Sequence, residues 1–216
     1  MAIEKINYYN ESISLYREIR KSSKEKPKLL LHVCCGACSC YPLVFLHDLF
    51  DVTILFSNSN IYPFDEFNRR LDALTIYVNE INKKFNKDIK IIVDFYDYEN
   101  FKKDLELLKN EPEQGARCMI CIEKRMRNVF KFASENGFPY VTTVMSVSRN
   151  KDANFINALG LTLEKENKNV KYFVSDFKKN NGQFIGVELS KKYNLYRQNY
   201  CGCEYSIRKE EVKWKS

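Results

Sequence analysis

The sequence contains no long apolar run, no internal repeat and no low-complexity segment. A membrane-spanning helix needs roughly 20 consecutive apolar residues, and no stretch approaches that length, so we expect no association with a membrane. The first seven residues include Glu4 and Lys5 and lack the apolar region of a secretory signal. We therefore expect a cytoplasmic location.

Histidine is scarce in the chain, whereas cysteine is frequent. There are 2 histidines and 8 cysteines among 216 residues. In the reducing cytoplasm, so many cysteines argue against structural disulfides and for metal or redox chemistry. The hydrophobic fraction of 44% and the charged fraction of 29% are typical of a folded globular protein.

The charge balance allows a polyanionic partner. Lys and Arg together number 35 against 28 Asp and Glu, which gives a formal net charge of +7. This excess is compatible with binding to RNA, but many soluble proteins carry a similar excess, so it does not decide the function.

A cysteine cluster at residues 34–40 follows a continuous apolar run. Residues 29–33 (LLLHV) predict a strand buried on both faces, and a helical pattern begins at Tyr41. The thiols of Cys34, Cys35, Cys38 and Cys40 therefore lie where a parallel strand turns into a helix. Ligands bind at such positions in open α/β sheets.

Strands and helices alternate along the rest of the chain. We predict further strands over residues 51–56, 89–95, 140–144 and 170–173, with helices over residues 3–21, 64–85, 99–109, 118–133 and 153–166. From Asp176 the chain is predicted to be irregular, with a short helical stretch over residues 196–203. The fold class predicted is α/β with a parallel, doubly wound, Rossmann-like sheet and a cysteine-rich metal site at its carboxyl edge. Residues 1–25 form an N-terminal helical extension in this interpretation, and residues 26–216 form a single α/β catalytic domain.

Two cysteine groups are placed where they could share a metal. The first is the cluster after the first strand, and the second is Cys118 with Cys121 at the start of a helix. Four thiolates from these groups could hold zinc or an iron–sulfur cluster, and the spacing favours neither. A closed zinc site that only stabilises the fold is the simpler interpretation of the same spacing.

The pair Cys201 and Cys203 suggests a different chemistry. A single glycine between them permits a strained disulfide in a small ring, and strained disulfides are the labile, catalytic kind. Two further metal ligands or two free thiols are the alternatives. His32 lies inside the buried strand and is expected to be a core residue.

Five blocks of the sequence together resemble the cobalamin-independent epoxyqueuosine reductases, the QueH family. They are residues 31–39 (LHVCCGACS), 58–63 (NSNIYP), 111–121 (EPEQGARCMIC), 176–179 (DFKK) and 195–203 (LYRQNYCGC). The resemblance covers most of the chain from Leu29 to Ser206, and the helix before Lys26 lies outside it.

The resemblance implies the last step of queuosine biosynthesis, in which an epoxide on a modified tRNA base loses its oxygen. It implies a [4Fe–4S] cluster held by Cys34, Cys35, Cys118 and Cys121, a second, mononuclear iron beside it, and a redox-active pair formed by Cys201 and Cys203. The partners expected are tRNA carrying epoxyqueuosine and an unidentified electron donor. The residues expected to contact substrate or tRNA are Asn58, Asn60, Arg117, Lys178, Lys179 and Arg197.

Two other functions compete with this interpretation. One is a zinc-stabilised RNA-binding module without catalysis, and the other is an ATP-dependent tRNA thiolase. The predicted fold is similar to that of nucleotide-binding α/β proteins of the HUP and PP-loop type, in which a Ser-Gly-Gly-x-Asp-Ser loop cradles pyrophosphate after the first strand. Here residues 34–39 (CCGACS) take that place without the double glycine or the acidic residue, so we predict no ATP hydrolysis.

Overall fold

The computed structural model describes residues 6–207 and contains one parallel sheet of five strands. The strands are β1 (Lys28–His32), β2 (Asp51–Phe56), β3 (Lys90–Val93), β4 (Tyr140–Thr143) and β5 (Lys171–Tyr172). Their order across the sheet is β3-β2-β1-β4-β5, and every neighbouring pair is parallel. The predicted fold class is therefore confirmed.

Helices cover both faces of this sheet. They are α1 (Tyr8–Ser22), α2 (Gly36–Leu46), α3 (Phe64–Phe85), α4 (Tyr98–Glu106), α5 (Ala116–Glu135), α6 (Ala153–Glu166) and α7 (Gly182–Lys192). Within the part of the chain that the model describes, none of these helices combines the length and apolar character needed to cross a bilayer.

The position of β1 between two cores explains why its sequence is apolar. Leu29 and Leu31 pack into a core with α2 and α3, whereas Leu30 packs into a second core with α5 and α6. All three side chains are fully buried. A strand covered on both faces has no solvent-facing side, so its residues are apolar without alternation.

The N-terminal helix α1 packs on the domain. Its residue Ile19 joins the core on the α2 side, and Tyr8 joins the core on the α6 side. Residues 3–5 of the helix predicted over residues 3–21 lie outside the described residues.

The predicted secondary structure was wrong at two places. Helix α2 begins at Gly36 rather than at Tyr41, so Cys38 and Cys40 lie inside the helix. The tail is also different: residues 182–192 form α7, whereas residues 196–203 are irregular. Gly182 and Gly186 resemble helix breakers in the sequence, but here both face Tyr41 of α2. Gly182, where a Cβ would lie 2.5 Å from the Tyr41 ring, allows α7 to pack closely on α2.

Gly36 sits where α2 crosses the backbone of α3. A Cβ atom on Gly36 would lie 2.5 Å from the carbonyl oxygen of Ala73, a distance that real Cβ atoms do not reach. Only glycine therefore allows the first turn of α2, which carries Cys38, to pack against α3.

We predict that Gly36→Ala lowers the free energy of unfolding by about 1–3 kcal/mol, because the contact involves backbone atoms on both sides. The matched control is Gly186→Ala, in the interior of α7, where the nearest heavy atom would be 3.7 Å from the new Cβ. There the better helix propensity of Ala should stabilise the protein by about 0.5–1 kcal/mol. Chemical denaturation of both variants measures the difference, and equal stabilities would contradict the packing argument.

Candidate functional site: the thiol cavity

Three thiols meet at the carboxyl end of β1. The sulfur atoms of Cys34, Cys35 and Cys38 all lie within 4.8 Å of one another. Cys34 follows the strand, Cys35 is the N-cap residue of α2, and Cys38 lies one turn into that helix. Residues three apart on a helix share a face, so the early start of α2 brings Cys38 beside Cys35.

The three thiols share their protons unequally. Hydrogen bonds from Cys35 and Cys38 to the Cys34 sulfur lower the pKa of Cys34 well below its usual range. The same hydrogen bonds raise the pKa values of Cys35, to about 12, and of Cys38. The group therefore holds one thiolate readily, and further deprotonation requires a cation. A thiophilic metal supplies that charge, and its binding is coupled to the release of the protons.

A second set of thiols lines a small cavity of about 30 Å³ beside this group. The cavity is lined by Cys118, Cys121, Cys201 and Cys203, together with Asn60, Arg117, Arg125 and Lys151 among others. Cys118 and Cys121 lie in the first two turns of α5, three residues apart and thus on one face. Burial, and the nearby Cys201 and Cys203, raise the pKa of Cys121 to about 12. We call these eight residues, with Cys34, Cys35 and Cys38, the thiol cavity.

Lys151 interacts electrostatically with cysteines of both sets. Its Nζ atom lies 3.5 Å from the Cys201 sulfur. Burial alone would lower the pKa of Lys151, but electrostatic attraction to the Cys201 and Cys34 sulfurs outweighs that effect and raises the pKa above its ordinary value. Lys151 therefore carries a positive charge among the cysteines at neutral pH.

Arg125 is a second cation of the cavity, and it is buried. Its guanidinium donates a hydrogen bond of 2.9 Å to the Asn58 side-chain oxygen, and the Asn58 amide donates one of 2.8 Å to the Val33 carbonyl. Arg125 and Asn58 thus connect α5 to the loops that follow β2 and β1.

Three buried polar atoms around the cavity have no hydrogen-bond partner among the described residues. They are Oδ1 of Asn60 and the Nε atoms of Arg117 and Arg125. These residues are at most 3% exposed. An unpaired buried polar group is costly, so one acceptor and two donors on the wall of one cavity indicate that the cavity binds a polar ligand.

The structure divides the predicted contact residues into two groups. Asn60 and Arg117 line the cavity, and Asn58 lies behind it. The Arg117 guanidinium also donates to the carbonyls of Leu108, Lys109 and Glu111, which fixes the loop before α5.

The other three predicted contacts lie outside the cavity. Lys178 donates to the Lys151 carbonyl at 3.4 Å, so it approaches the cavity from behind the Lys151 backbone. Lys179 is exposed, and Arg197 is exposed and donates to the Ser190 hydroxyl at 2.9 Å. None of these three residues is among those that line the cavity.

The pair Cys201 and Cys203 is reduced, as are the other six cysteines. The Cys201 sulfur faces Lys151, whereas the Cys203 sulfur lies 3.6 Å from the Ser206 hydroxyl. No two of the eight are at disulfide distance, so the redox-active disulfide stays a prediction.

His32 is fully buried, as a core residue should be. Burial, and the neighbouring Arg125 cation, lower its pKa to about 3, so the ring is neutral. Its Nδ1 lies 2.9 Å from the Thr143 hydroxyl, and its Nε2 lies 3.3 Å from the Ser57 carbonyl and 3.4 Å from an Nη atom of Arg125.

Sequence reasoning missed a role for three residues of the cavity. Arg125 could have been found, because it follows Cys118 and Cys121 by seven and four residues and so shares their helix face. Cys38 was recognised as one of the clustered thiols, but no role was predicted for it. Lys151 gave no signal, since a single lysine in a polar loop resembles any surface charge.

We predict that Cys38→Ser lowers the metal content of anaerobically purified protein, because its sulfur belongs to the buried group with Cys34 and Cys35. Cys40→Ser is the matched control. Cys40 lies two residues further along α2 and is fully buried, but its thiol donates to the Gly36 carbonyl within α2 and lies outside that group. Elemental analysis of both variants measures the effect. If Cys38→Ser retained all of the metal, Cys38 would not be a ligand.

Comparisons with known proteins match the part of the chain that contains these site residues. The family model described as epoxyqueuosine reductase QueH matches residues 29–209. The chain is 38% identical to the epoxyqueuosine reductase QueH of Staphylococcus epidermidis, over 100% of this chain and 90% of that protein. It is 35% identical to the protein of the same name from Streptococcus pyogenes, over 97% and 81%, and 30% identical to that from Thermotoga maritima, over 86% and 93%. The chain belongs to the epoxyqueuosine reductase QueH family, a family of oxidoreductases.

Proposed function

We propose that this protein reduces epoxyqueuosine to queuosine in tRNA. The observation that carries the proposal is the thiol cavity: Cys118, Cys121, Cys201 and Cys203 line one small volume together with buried polar groups that have no partner among the described residues. Close to it, the Cys34, Cys35 and Cys38 group could hold a metal ion. The family of the chain names the reaction, and the cavity contains the residue types that the reaction needs.

The reaction consumes two electrons and two protons. The two C–O bonds of the epoxide break, an alkene forms, and the oxygen leaves as water. Oxidation of the Cys201 and Cys203 thiols to a disulfide would supply both electrons and both protons. An electron donor, not identified by the sequence, must then reduce the disulfide before the next turnover.

The cavity fits an iron–sulfur cluster by the chemistry of its donor set. Three sulfurs within 4.8 Å of one another, with two further cysteines in the first two turns of α5, would provide thiolate ligands from two elements. We propose Cys34, Cys35, Cys118 and Cys121 as ligands of a [4Fe–4S] cluster, and the additional thiol of Cys38 leaves a ligand for a second iron. When bound, these groups supply one-electron transfer and a Lewis acid for the departing oxygen.

We assign to the cations of the cavity the role of stabilising the epoxide oxygen as it leaves. The Nε–H groups of Arg117 and Arg125 have no acceptor among the described residues, and the Lys151 ammonium lies next to Cys201. Charged donors in a buried site stabilise negative charge that develops on an oxygen. We propose that these three groups hold the substrate oxygen. We also propose that the Asn60 oxygen accepts a hydrogen bond from a hydroxyl on the cyclopentane ring of the modified base.

The tRNA would be held at the surface around the cavity. The modified base lies in the anticodon loop, where it can be splayed away from its neighbours. Lys178, Lys179 and Arg197 are proposed to contact the phosphates of that loop, and Asn58 to act indirectly by positioning Arg125.

The proposed function is tested on anaerobically purified protein by iron, sulfide and zinc analysis, together with reduction of epoxyqueuosine in tRNA. We expect the protein to contain iron and sulfide and to be brown, with absorbance at about 400 nm. We also expect it to convert epoxyqueuosine to queuosine. Cys118→Ala should lose both iron and activity, whereas Cys40→Ser should keep both. Colourless protein with stoichiometric zinc and no turnover would instead support an RNA-binding module, and ATP-dependent sulfur incorporation would support a thiolase.

We predict that the salt dependence of tRNA binding falls when the three surface cations are removed. In Lys178→Ala, Lys179→Ala and Arg197→Ala, the slope of log K against log salt should each decrease by about 0.7, the value for one contact to single-stranded phosphate. The control is Lys83→Ala in the last turn of α3, because α3 begins at the carboxyl edge of the sheet and ends at the opposite edge. An unchanged slope in all three variants would contradict the phosphate contacts.

A further inference from the structure

A buried ion pair in α3 contacts the backbone of the Cys201–Cys203 turn. The Nε atom of Arg70 donates to a carboxylate oxygen of Glu66 at 2.7 Å, one helical turn earlier. The side chains of Arg70 and Glu66 are only 1% and 4% exposed. Burying a charged pair this deeply costs desolvation free energy. Surface solubility does not explain a buried pair, so we expect it to have another role.

The remaining donors of Arg70 are directed at the turn and not at α3. One Nη atom donates to the Cys201 carbonyl at 3.0 Å, and the other donates to the Tyr200 carbonyl at 3.2 Å. The planar guanidinium thus binds a carboxylate on one side and two successive carbonyls on the other. A lysine could not reproduce this arrangement, since its ammonium is a point donor.

Further contacts hold the same turn from other directions. The Tyr62 amide donates to the Gly202 carbonyl at 2.8 Å, and the Tyr196 hydroxyl donates to the second Glu66 oxygen at 2.7 Å. Gly202 has a φ of 124°, a conformation that favours glycine, and a Cβ there would lie 3.0 Å from a nitrogen of Arg70. The turn is therefore fitted to Arg70 at backbone level.

This fixed backbone separates the two thiols. Cys201 faces Lys151 and Cys203 faces Ser206, and the pair is not bonded. Closing a disulfide across a single glycine would require the turn to rearrange, because disulfide geometry is narrowly defined. Contacts that hold the open turn therefore stabilise the dithiol relative to the disulfide.

We propose that Arg70, held by Glu66, is a positioning residue that sets the redox balance of the Cys201–Cys203 pair. The proposal rests on the proposed redox role of this pair. Arg70 stabilises the open, dithiol form, which makes the disulfide form a stronger oxidant and easier for the electron donor to reduce. Arg70 contacts neither thiol, so it acts through the backbone of the turn.

The test is equilibration of the whole protein, purified anaerobically, with glutathione buffers of defined composition. In the exchange, the two thiols form a disulfide while one oxidised glutathione becomes two reduced molecules. Differential alkylation and mass spectrometry then measure the fraction of Cys201 and Cys203 joined as a disulfide. Arg70→Met is compared with the wild type, and Arg69→Met, an exposed arginine one position earlier, is the matched control.

In Arg70→Met, half-oxidation should occur at a ratio of reduced glutathione squared to oxidised glutathione about tenfold higher than in the wild type, which corresponds to about 30 mV. Arg69→Met should match the wild type. Arg70→Met leaves the buried Glu66 carboxylate without its cation, which could prevent folding. The double variant Glu66→Gln/Arg70→Met removes both charges. If the single variant does not fold, the double variant should show the same shift.

Two negative results have different meanings. If the wild-type pair forms a disulfide and a folded Arg70 variant has the same midpoint, the positioning role of Arg70 is wrong while the redox pair stands. If the wild-type pair forms no disulfide at any glutathione ratio, the redox role of the pair is wrong and this inference fails with it.

Discussion

The arrangement of the site depends on one buried amide, that of Asn58. Its side chain donates to the Val33 carbonyl after β1 and accepts from Arg125 of α5, with distances of 2.8 and 2.9 Å. These two bonds join three parts of the chain: the loop that carries Cys34, the loop that carries Asn60, and the helix that carries Cys118 and Cys121. Since the groups are buried, loss of one partner would leave the others unpaired, which costs more than the bond itself contributes.

The sheet topology explains why these parts lie close together. In the order β3-β2-β1-β4-β5, strand β1 is central, and the chain leaves it toward one face and β4 toward the other. Loops at the carboxyl ends of these strands diverge and leave a crevice, which is the ligand position of doubly wound folds. Helix α2, which carries Cys38, packs on one face of the sheet, and α5, which carries Cys118 and Cys121, packs on the other.

Much of this arrangement follows from local sequence, and some of it does not. The apolar run at residues 29–33 and the helix stripe of α3 predict their elements because burial fixes their periodicity. The start of α2 and the existence of α7 were missed because the glycines at 36 and 182 act through tertiary contacts that no local pattern reports. Of the cavity, the cysteines were visible as residue types, but Lys151 became part of it only through folding, which places its ammonium 3.5 Å from Cys201.

The walls of the cavity differ in how they are held. The walls made by α2 and α5 belong to elements anchored in the two cores, whereas the wall made by residues 198–203 contains no helix or strand. That wall is positioned by polar contacts: Arg70 binds the Cys201 carbonyl, and the Gln198 amide donates to the Cys35 sulfur at 3.1 Å. Because its backbone is not part of the sheet or of a helix, the turn can change conformation at a cost of a few hydrogen bonds without disturbing the core. The redox pair proposed for Cys201 and Cys203 would be suited to such a wall, while the proposed ligands of a metal cluster would be suited to the rigid ones.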